Sequence, residues 1–225
     1  MTQNVTQLAV IVTGATGMVG EGVLLECLEN PAVERVLMVN RKPQGMTHPK
    51  LTECIVADFL DLDAVTSQLA GYDACFYCAG VSSRGMSEAA YSKVTYDTPL
   101  HFAHVLEKVT PNMVFCHVSG ALTDSTEKGR VMWARVKGKA ENALMRCAFK
   151  GVYNFRPGMM KPMPGQKNVK GYYKAVATFY PMPRALFPSQ VSTMREVAVA
   201  MIACARVGYP KQVLEVKDIV ALANA

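Results

Sequence analysis

The sequence has no apolar stretch that approaches the roughly 18 residues of a membrane-spanning helix, so we expect no stable membrane span. It does not begin with a basic region followed by an apolar one, and we expect no secretory signal and a cytoplasmic chain. It also lacks internal repeats and low-complexity linkers, which favours a single domain over residues 1–225. The net charge of +6 is small and unclustered, so we expect no nucleic-acid partner.

The seven cysteines are not expected to form a disulfide framework, because the chain carries no secretory signal. Cys75 and Cys78 have the CxxC spacing of redox and zinc sites, but they lie in a pattern typical of a buried strand. Residues three apart on a strand point to opposite faces, so these two thiols cannot easily share a metal or a disulfide. We therefore expect free thiols and no metal site.

Strand and helix patterns alternate along the whole chain, which predicts an α/β fold. The predicted strands are Leu8–Thr13, Val33–Asn40, Thr52–Ala57, Ala74–Cys78, Met113–Ser119, Val152–Phe155 and Gln212–Val216. The predicted helices are Val19–Leu28, Asp61–Leu69 with an acidic cap, Ser87 to Lys108 with a break near Pro99, Val131–Phe149, Tyr172–Tyr180, Thr193–Val207 and a final tail. Near-continuous apolar strands predict a doubly wound parallel sheet between two helical layers, a three-layer α/β/α arrangement.

The composition changes after Arg156-Pro157-Gly158, where proline, methionine and aromatic residues become frequent. We interpret residues 158–193 as a small C-terminal lid on the substrate side of the same domain. Its apolar side chains would line an adaptable pocket for a small apolar substrate, or else serve as lid packing or a partner surface. They are Met159, Met160, Met163, Tyr172, Tyr173, Phe179 and Tyr180.

A glycine-rich loop carries the strongest functional signal in the chain. The first predicted strand ends at Thr13, and glycines then occupy every third position: Gly14, Gly17 and Gly20. Such a loop between a strand and a helix lets the backbone approach a pyrophosphate, which the helix N-terminus then binds. The alternative is a glycine-rich surface turn. The loop residues predicted to contact a dinucleotide are Gly14, Thr16, Gly17 and Met18.

The end of the second predicted strand indicates which dinucleotide is bound. A carboxylate usually stands about 20 residues past the glycine loop to bind the adenosine ribose. Here the sequence reads Asn40-Arg41-Lys42, and two cations attract the 2′-phosphate that distinguishes NADP from NAD. We therefore predict NADP, with NAD as the less favoured cofactor. The alternative is that Arg41 and Lys42 form a solvated loop.

Two further positions fit the same cofactor. Asp58 follows the third predicted strand and would accept a hydrogen bond from the adenine amino group, unless it is only a helix N-terminal signal. The small residues Cys78, Ala79 and Gly80 follow the fourth strand, where the backbone would run beside the ribose, unless they form a plain turn.

Taken together, Gly14–Gly20, Asp58, Cys78–Gly80, Ser119, Lys137 and Arg156-Pro157-Gly158 resemble the short-chain dehydrogenase/reductase superfamily. The glycine spacing resembles its atypical and extended branches, which are relatives of the NAD-dependent epimerases and dehydratases. The resemblance implies a Rossmann-like NAD(P)-binding fold. It also implies a Tyr-x-x-x-Lys pair on one helix, in which the lysine binds the nicotinamide ribose, and Lys137 matches that lysine.

The catalytic half departs from this pattern. Trp133 occupies the tyrosine position, and an indole has no acid–base chemistry near neutral pH. Ser119 would border the nicotinamide together with Trp133, but glycine and alanine fill the next two places, where relatives often carry the catalytic hydroxyl. Thr123 and Ser125 are candidate replacements for that hydroxyl. Tyr91, Tyr96, Tyr172 and Tyr173 are weaker candidates for the proton donor, and His117 is interpreted as a core histidine.

These features support two functions of different classes. The first is an NADP-dependent reductase of a small apolar carbonyl or quinone, since solvent can protonate such products and the cofactor supplies the hydride. The alternative is a catalytically impaired NADP-binding sensor or scaffold that regulates a partner protein. An isomerase acting on a nucleotide sugar is less favoured, because such enzymes depend on the tyrosine. The resemblance also makes a homodimer plausible through the helices near residues 87–108 and 131–149.

Overall fold

The computed structural model describes residues 7–169, 171 and 180–225. Seven strands form one sheet in the order β3-β2-β1-β4-β5-β6-β9, and every neighbouring pair in it is parallel. These strands are β1 Leu8–Thr13, β2 Val33–Asn40, β3 Leu51–Ile55, β4 Ala74–Tyr77, β5 Val114–Val118, β6 Gly151–Arg156 and β9 Val213–Glu215. A second sheet pairs β7 Met159–Lys161 with β8 Val191–Thr193, also in parallel.

Helices connect the strands. They are α1 Met18–Glu29, a 3₁₀-helix Asp63–Leu69, α2 Glu88–Ser92, a π-helix Lys93–Asp97, α3 Thr98–Val109, α4 Met132–Leu144, α5 Pro181–Leu186, α6 Met194–Val207 and α7 Val216–Ala223. Residues of α1, α6 and α7 pack in one apolar cluster, while the 3₁₀-helix, α3 and α4 contribute to another. The predicted three-layer α/β/α fold class is confirmed.

Alternation along β1 shows why both faces of the sheet are apolar. Val10 and Val12 belong to the cluster beneath α1 and α6, whereas Ile11 belongs to the cluster beneath α3. All three side chains are fully buried. A strand covered by helices on both faces favours apolar side chains at every position, and β1 is apolar from Leu8 to Val12.

The strand order reverses between β1 and β4. Chain connections run outward from β1 toward β3 on one side and from β4 toward β9 on the other. Thr13 pairs with Tyr77 at the carboxyl ends of these two strands, so the loops that follow them lie side by side. In open α/β sheets a crevice for ligands forms at such a switch point.

The structure changes several predicted boundaries. The helix predicted to break near Pro99 is divided into α2, a π-helix and α3, and Pro99 lies in the first turn of α3. The helix predicted to reach Phe149 ends at Leu144. The acidic cap predicted for the 3₁₀-helix is wrong, because its N-cap is Leu62 and makes no side-chain hydrogen bond. The predicted helix Tyr172–Tyr180 lies outside the described residues except for Tyr180.

The segment after β7 is tied to the beginning of α1. Gln166 donates a hydrogen bond from Nε2 to the Met18 carbonyl at 2.6 Å, and Glu21 accepts the backbone N–H groups of Lys167 and Asn168 at 2.8 and 2.7 Å. The glycine loop and the described part of this segment are therefore neighbours. Among the helices of residues 7–169 and 180–225, none combines the length and apolar character needed to cross a membrane.

Candidate cofactor site and catalytic residues

The glycine loop adopts a conformation that a larger residue could not. Gly14 has a φ of 70°, and a Cβ placed on it would lie 2.6 Å from the Ala79 backbone nitrogen. Thr13 holds the two loops together, because its Oγ1 accepts the N–H groups of Cys78 and Ala79 at 3.1 and 3.2 Å. The loops after β1 and β4 thus touch along their backbones, as a Rossmann-like crevice requires.

Gly20 has a different role in the same loop. A Cβ on Gly20 would collide with the Gly14 carbonyl, so glycine is needed for α1 to start this close to the sheet. Gly17 is the N-cap of α1 and makes no side-chain capping bond, which leaves the first-turn N–H groups without a side-chain acceptor. The loop therefore presents a helix N-terminus and backbone, and no bulky side chain, toward the switch point.

A cleft of about 1040 Å³ opens at this point and collects most of the predicted cofactor contacts. The predicted residues that line it are Gly14, Thr16, Gly17, Arg41, Lys42, Asp58, Cys78, Ala79 and Gly80. Met18 is not among its lining residues; its side chain packs on the core and its carbonyl accepts the Gln166 bond. Lys137, Ser119 and Trp133 are not among its lining residues either. The binding roles of all these residues stay predictions.

The edge of the cleft at the end of β2 is basic and contains an unpaired buried amide. Arg41 and Lys42 are exposed and form no ion pair with any described residue. Asn40 is 2% exposed, and neither its Nδ2 nor its Oδ1 has a hydrogen-bond partner among the described residues. Because buried polar atoms are almost always paired, Asn40 is suited to a ligand that supplies both an acceptor and a donor.

Asp58 is not the N-cap of the helix that follows, which begins at Asp63 after Leu62, and its contact with adenine stays a prediction. Its carboxylate is exposed and lines the cleft, while its Oδ1 accepts the Leu60 N–H at 3.0 Å. The second carboxylate oxygen remains available toward the cleft.

Sequence reasoning missed the opposite wall of the cleft. Lys93 and Val94 begin the π-helix and line the cleft together with Thr98, whose Oγ1 donates to the Lys93 carbonyl at 2.7 Å. A π-turn shifts side chains around the helix axis, and no residue pattern in the sequence indicates it. Phe59 and Leu60 follow Asp58 directly, so their place in the cleft could have been inferred from that neighbour.

The predicted catalytic residues gather beside the carboxyl end of β5. Ser119 is buried, and its Oγ lies 3.2 Å from Thr123 Oγ1, which donates to the Gly120 carbonyl at 2.7 Å. The aliphatic part of Lys137 packs next to Gly120, where a Cβ would lie 3.8 Å from its Cδ and Cε. Burial lowers the pKa of Lys137 to about 8, although the nearby charge of Glu141 acts in the opposite direction. A lysine near neutrality can both donate and accept a proton.

Helix α4 presents Trp133 and Lys137 one turn apart and is anchored at its far end. Glu141 is fully buried and accepts two hydrogen bonds from Arg156, from Nε at 3.0 Å and from Nη2 at 2.5 Å. Arg156 also donates to Ser125 Oγ at 2.7 Å. Ser125 is thus held in a structural network, which weakens its candidacy as a catalytic hydroxyl.

The candidate replacements for the missing tyrosine differ in burial and in the contacts that their side chains make. Tyr91 is 1% exposed and its pKa is raised by burial, so it is poorly placed to exchange a proton with a substrate. Tyr96 stacks under the Lys139 ammonium, which lies 4.3 Å from the ring centroid. His117 is buried with Nδ1 3.0 Å from Asn154 Oδ1, and burial, together with the Lys137 charge, lowers its pKa to about 3. Tyr172 and Tyr173 lie outside the described residues.

The predicted apolar substrate pocket stays a prediction, and none of its described residues lines the cleft. Met160 is buried in the core and Met163 packs against it, which agrees with the lid-packing interpretation for these two residues. Met159 is exposed. Phe179 is outside the described residues.

The sequence is similar to a known protein family and to a fungal protein. The sequence model of the NAD dependent epimerase/dehydratase family matches residues 10–128. Protein fmp52, mitochondrial, of Emericella nidulans is 29% identical over 179 residues, which cover 76% of this chain and 73% of that protein.

Two solved structures share the fold. A short chain dehydrogenase from Burkholderia cenocepacia in complex with NADP has a TM-score of 0.66 and 17% identity over 98% of this chain and 94% of its own. The Bordetella bronchiseptica enzyme WbmF in complex with NAD+ has a TM-score of 0.65 and 16% identity over 99% and 79%. The predicted superfamily resemblance is confirmed by the family model, and the two structures share the fold.

Proposed function

The chain belongs to the NAD dependent epimerase/dehydratase family, and on that premise we propose that it binds NADP and reduces a small apolar carbonyl or quinone. The observation that carries the proposal is the basic edge of the cleft, where Asn40, Arg41 and Lys42 stand at the end of β2.

The residues present fit a dinucleotide. The loops after Thr13 and Tyr77 are in backbone contact, which a Cβ on Gly14 would prevent, and both loops line the cleft. The N-terminus of α1 suits the pyrophosphate, and the orphaned Asn40 amide suits ribose hydroxyl groups. When bound, the cofactor supplies the hydride. The protein supplies the binding cleft and the residues beside β5.

Electrostatics favours NADP over NAD. A carboxylate in place of Asn40 would repel a 2′-phosphate, and none is present there. Arg41 and Lys42 are exposed at the cleft and form no ion pair among the described residues, so they can bind that phosphate without first breaking another contact.

Lys137 is our proposed source of the proton that the tyrosine supplies in relatives, in addition to holding the ribose. Its lowered pKa leaves the ammonium populated below about pH 8 and makes it a better acid than an ordinary lysine. It lies beside Gly120 and next to the Ser119–Thr123 hydroxyl pair, which can position a carbonyl oxygen.

Calorimetric titration of NADPH and NADH tests the cofactor proposal. Arg41→Ala combined with Lys42→Ala should weaken NADPH binding by about 100-fold or more, because each charged hydrogen bond contributes about 1.5–3 kcal/mol, and should leave NADH binding within about threefold. A double variant that removes two exposed lysines away from the cleft, Lys108→Ala with Lys217→Ala, controls for the change in net charge. Equal losses for both cofactors, or no loss for NADPH, would show that these cations do not recognise a 2′-phosphate.

A second candidate function is favoured by Trp133 itself. A protein that binds NADP without turnover, as a sensor or scaffold for a regulatory partner protein, has no need of a titrating side chain at that position. NADPH consumption with 9,10-phenanthrenequinone as the acceptor separates the two functions. Turnover above the rate without protein supports the reductase, whereas tight NADPH binding without turnover supports the sensor.

The domain organisation, the oligomeric state and the cellular location of the chain are also proposals. We propose that the chain is one domain in which residues 158–193 form a lid on the substrate side, supported by the bonds from Gln166 and Glu21 that join this segment to the glycine loop. A homodimer through α2–α3 and α4 and a cytoplasmic location are likewise proposals. The relative fmp52 is named a mitochondrial protein, so fractionation of cells that express the tagged chain would test the location.

A further inference from the structure

A cluster of three different metal-ligating side chains lies outside the cofactor cleft. His104 and Glu107 are one turn apart on α3, and Cys147 lies in the turn that follows α4. One ligand atom from each falls within 4.8 Å of the other two, and His104 Nδ1 is 3.3 Å from Glu107 Oε2. We propose that these side chains form a binding site for a divalent transition-metal ion of the zinc type.

The backbone holds two of the three ligands in place before any ion binds. Glu107 Oε1 accepts the N–H of Ala148, the residue next to Cys147, so the carboxylate is tied to the turn that carries the thiol. The turn itself is closed by the Cys147 N–H, which donates to the Leu144 carbonyl at 3.0 Å. Hydrogen bonds of this kind orient the ligands of known metal sites. Glu107 Oε2 remains directed at His104.

The donor set selects the class of ion. Calcium and magnesium prefer oxygen ligands alone, whereas zinc accepts thiolate, imidazole and carboxylate in one tetrahedral site. Ligand bonds of about 2.0–2.3 Å require donor atoms about 3.3–3.8 Å apart, so the ion needs the cluster to contract by about 1 Å. His104 can make this movement, because its side chain is 53% exposed. Three protein ligands leave the fourth position open to water.

Two simpler interpretations explain less. A surface ion pair accounts for His104 and Glu107, and the Cys147 thiol donates to the Ala143 carbonyl at 4.0 Å, but neither contact explains why the three ligand atoms converge. A reactive cysteine is disfavoured, because burial and the Glu107 charge raise the pKa of Cys147 to about 11 and keep it protonated. A bound cation would offset the Glu107 charge and let the thiol ionise. The site also lies apart from the cofactor cleft, since none of the three residues lines it.

Titration of the reduced, metal-free protein with Co²⁺ tests the site, because Co²⁺ substitutes for zinc and reports thiolate ligation through a charge-transfer absorption band. We expect one Co²⁺ per chain with this band, displaced by Zn²⁺. Cys147→Ser should abolish the band, and His104→Gln should weaken binding by about 100-fold or more, since even the loss of supporting residues costs 10–100-fold.

Two control variants should bind Co²⁺ as the unmodified chain does. His101→Gln removes a histidine one turn earlier on α3, and Cys54→Ala removes a thiol outside the cluster. Absence of the band, its persistence in Cys147→Ser, or equal weakening by His101→Gln would overturn the proposal. Parallel NADPH titrations keep this result separate from the proposed function, because metal binding requires no cofactor.

Discussion

Trp133 stands one helical turn before Lys137, in the place where the resemblance to the superfamily predicts a tyrosine. The indole is half-buried at the beginning of α4 and can donate a hydrogen bond but cannot titrate near neutral pH. Any proton transfer at this site must therefore come from another group or from solvent. The lowered pKa of Lys137 places one such group on the same face of the same helix.

Restoring the tyrosine is the residue-scale test of this interpretation. Trp133→Tyr should preserve NADPH-dependent quinone reduction or raise it by up to about 100-fold, since a positioned general acid contributes about 10²–10⁴-fold. Steady-state NADPH consumption measures the effect. Trp133→Phe is the matched control, because it introduces an aromatic ring without a hydroxyl group and should give no gain. A large loss in the tyrosine variant would mean that the indole has a positive role and that the superfamily template is misplaced here.

At the scale of elements, the position of α4 depends on one buried ion-pair network. Arg156 joins the end of β6 to Glu141 of α4, to Glu215 at the end of β9 at 3.0 Å, and to Ser125 in the loop before α4. Burial alone would lower the pKa of Arg156, but the hydrogen bonds and charges of Glu141 and Glu215 outweigh it and raise the pKa. The network therefore fixes the helix that carries Trp133 relative to the sheet.

Breaking this network should be costly. Arg156→Met leaves Glu141 as an unpaired buried charge, so we expect the free energy of unfolding to fall by about 3–5 kcal/mol in urea denaturation. Glu215→Gln is the control, because its side chain is 45% exposed and can still accept a hydrogen bond, and it should cost no more than about 1 kcal/mol. Similar losses for the two variants would contradict the central place of the Arg156–Glu141 pair.

At the scale of the whole molecule, the buried imidazole of His117 makes stability depend on pH. The pKa of His117 falls from 6.5 to about 3 on folding, mainly because the ring is buried. Below pH 6.5 the unfolded chain binds a proton that the folded chain does not, so stability is lost as the pH falls. The pKa of Lys137 is lowered as well, so at alkaline pH the free energy of unfolding also decreases as the pH falls.

Denaturation between pH 6.5 and about 5, above the range in which most carboxyl groups titrate, isolates the histidine. The slope of the free energy of unfolding should rise from about 0.7 kcal/mol per pH unit at pH 6.5 to about 1.4 near pH 5, as the histidine of the unfolded chain becomes protonated. His117→Gln should remove this dependence, while His101→Gln on α3 should retain it. A slope that survives in His117→Gln would place the titrating group elsewhere.

Much of the fold and of the cofactor site was predictable, because the relevant signals are local. Strand β1 and helix α1 were predicted within a residue, since apolar runs and helical spacing are written in consecutive residues. Gly14 and Gly20 stand in the pattern for a related reason: only glycine fits the backbone conformation and the close approach found there. Arg41 and Lys42 line the cleft, because β2 ends at the same edge of the sheet as β1 and β4.

The tertiary structure decided the features that join distant parts of the chain. Arg156 and Glu141 are 15 residues apart, His104 and Cys147 lie on different elements, and the π-helix that brings Lys93 into the cleft has no pattern of its own in the sequence. By itself, then, the sequence determined the sheet, the glycine cradle and the charge of the cleft edge, because short-range spacing and backbone sterics encode them. Only packing decided which polar side chains meet, because their partners come from elements that the fold alone brings together.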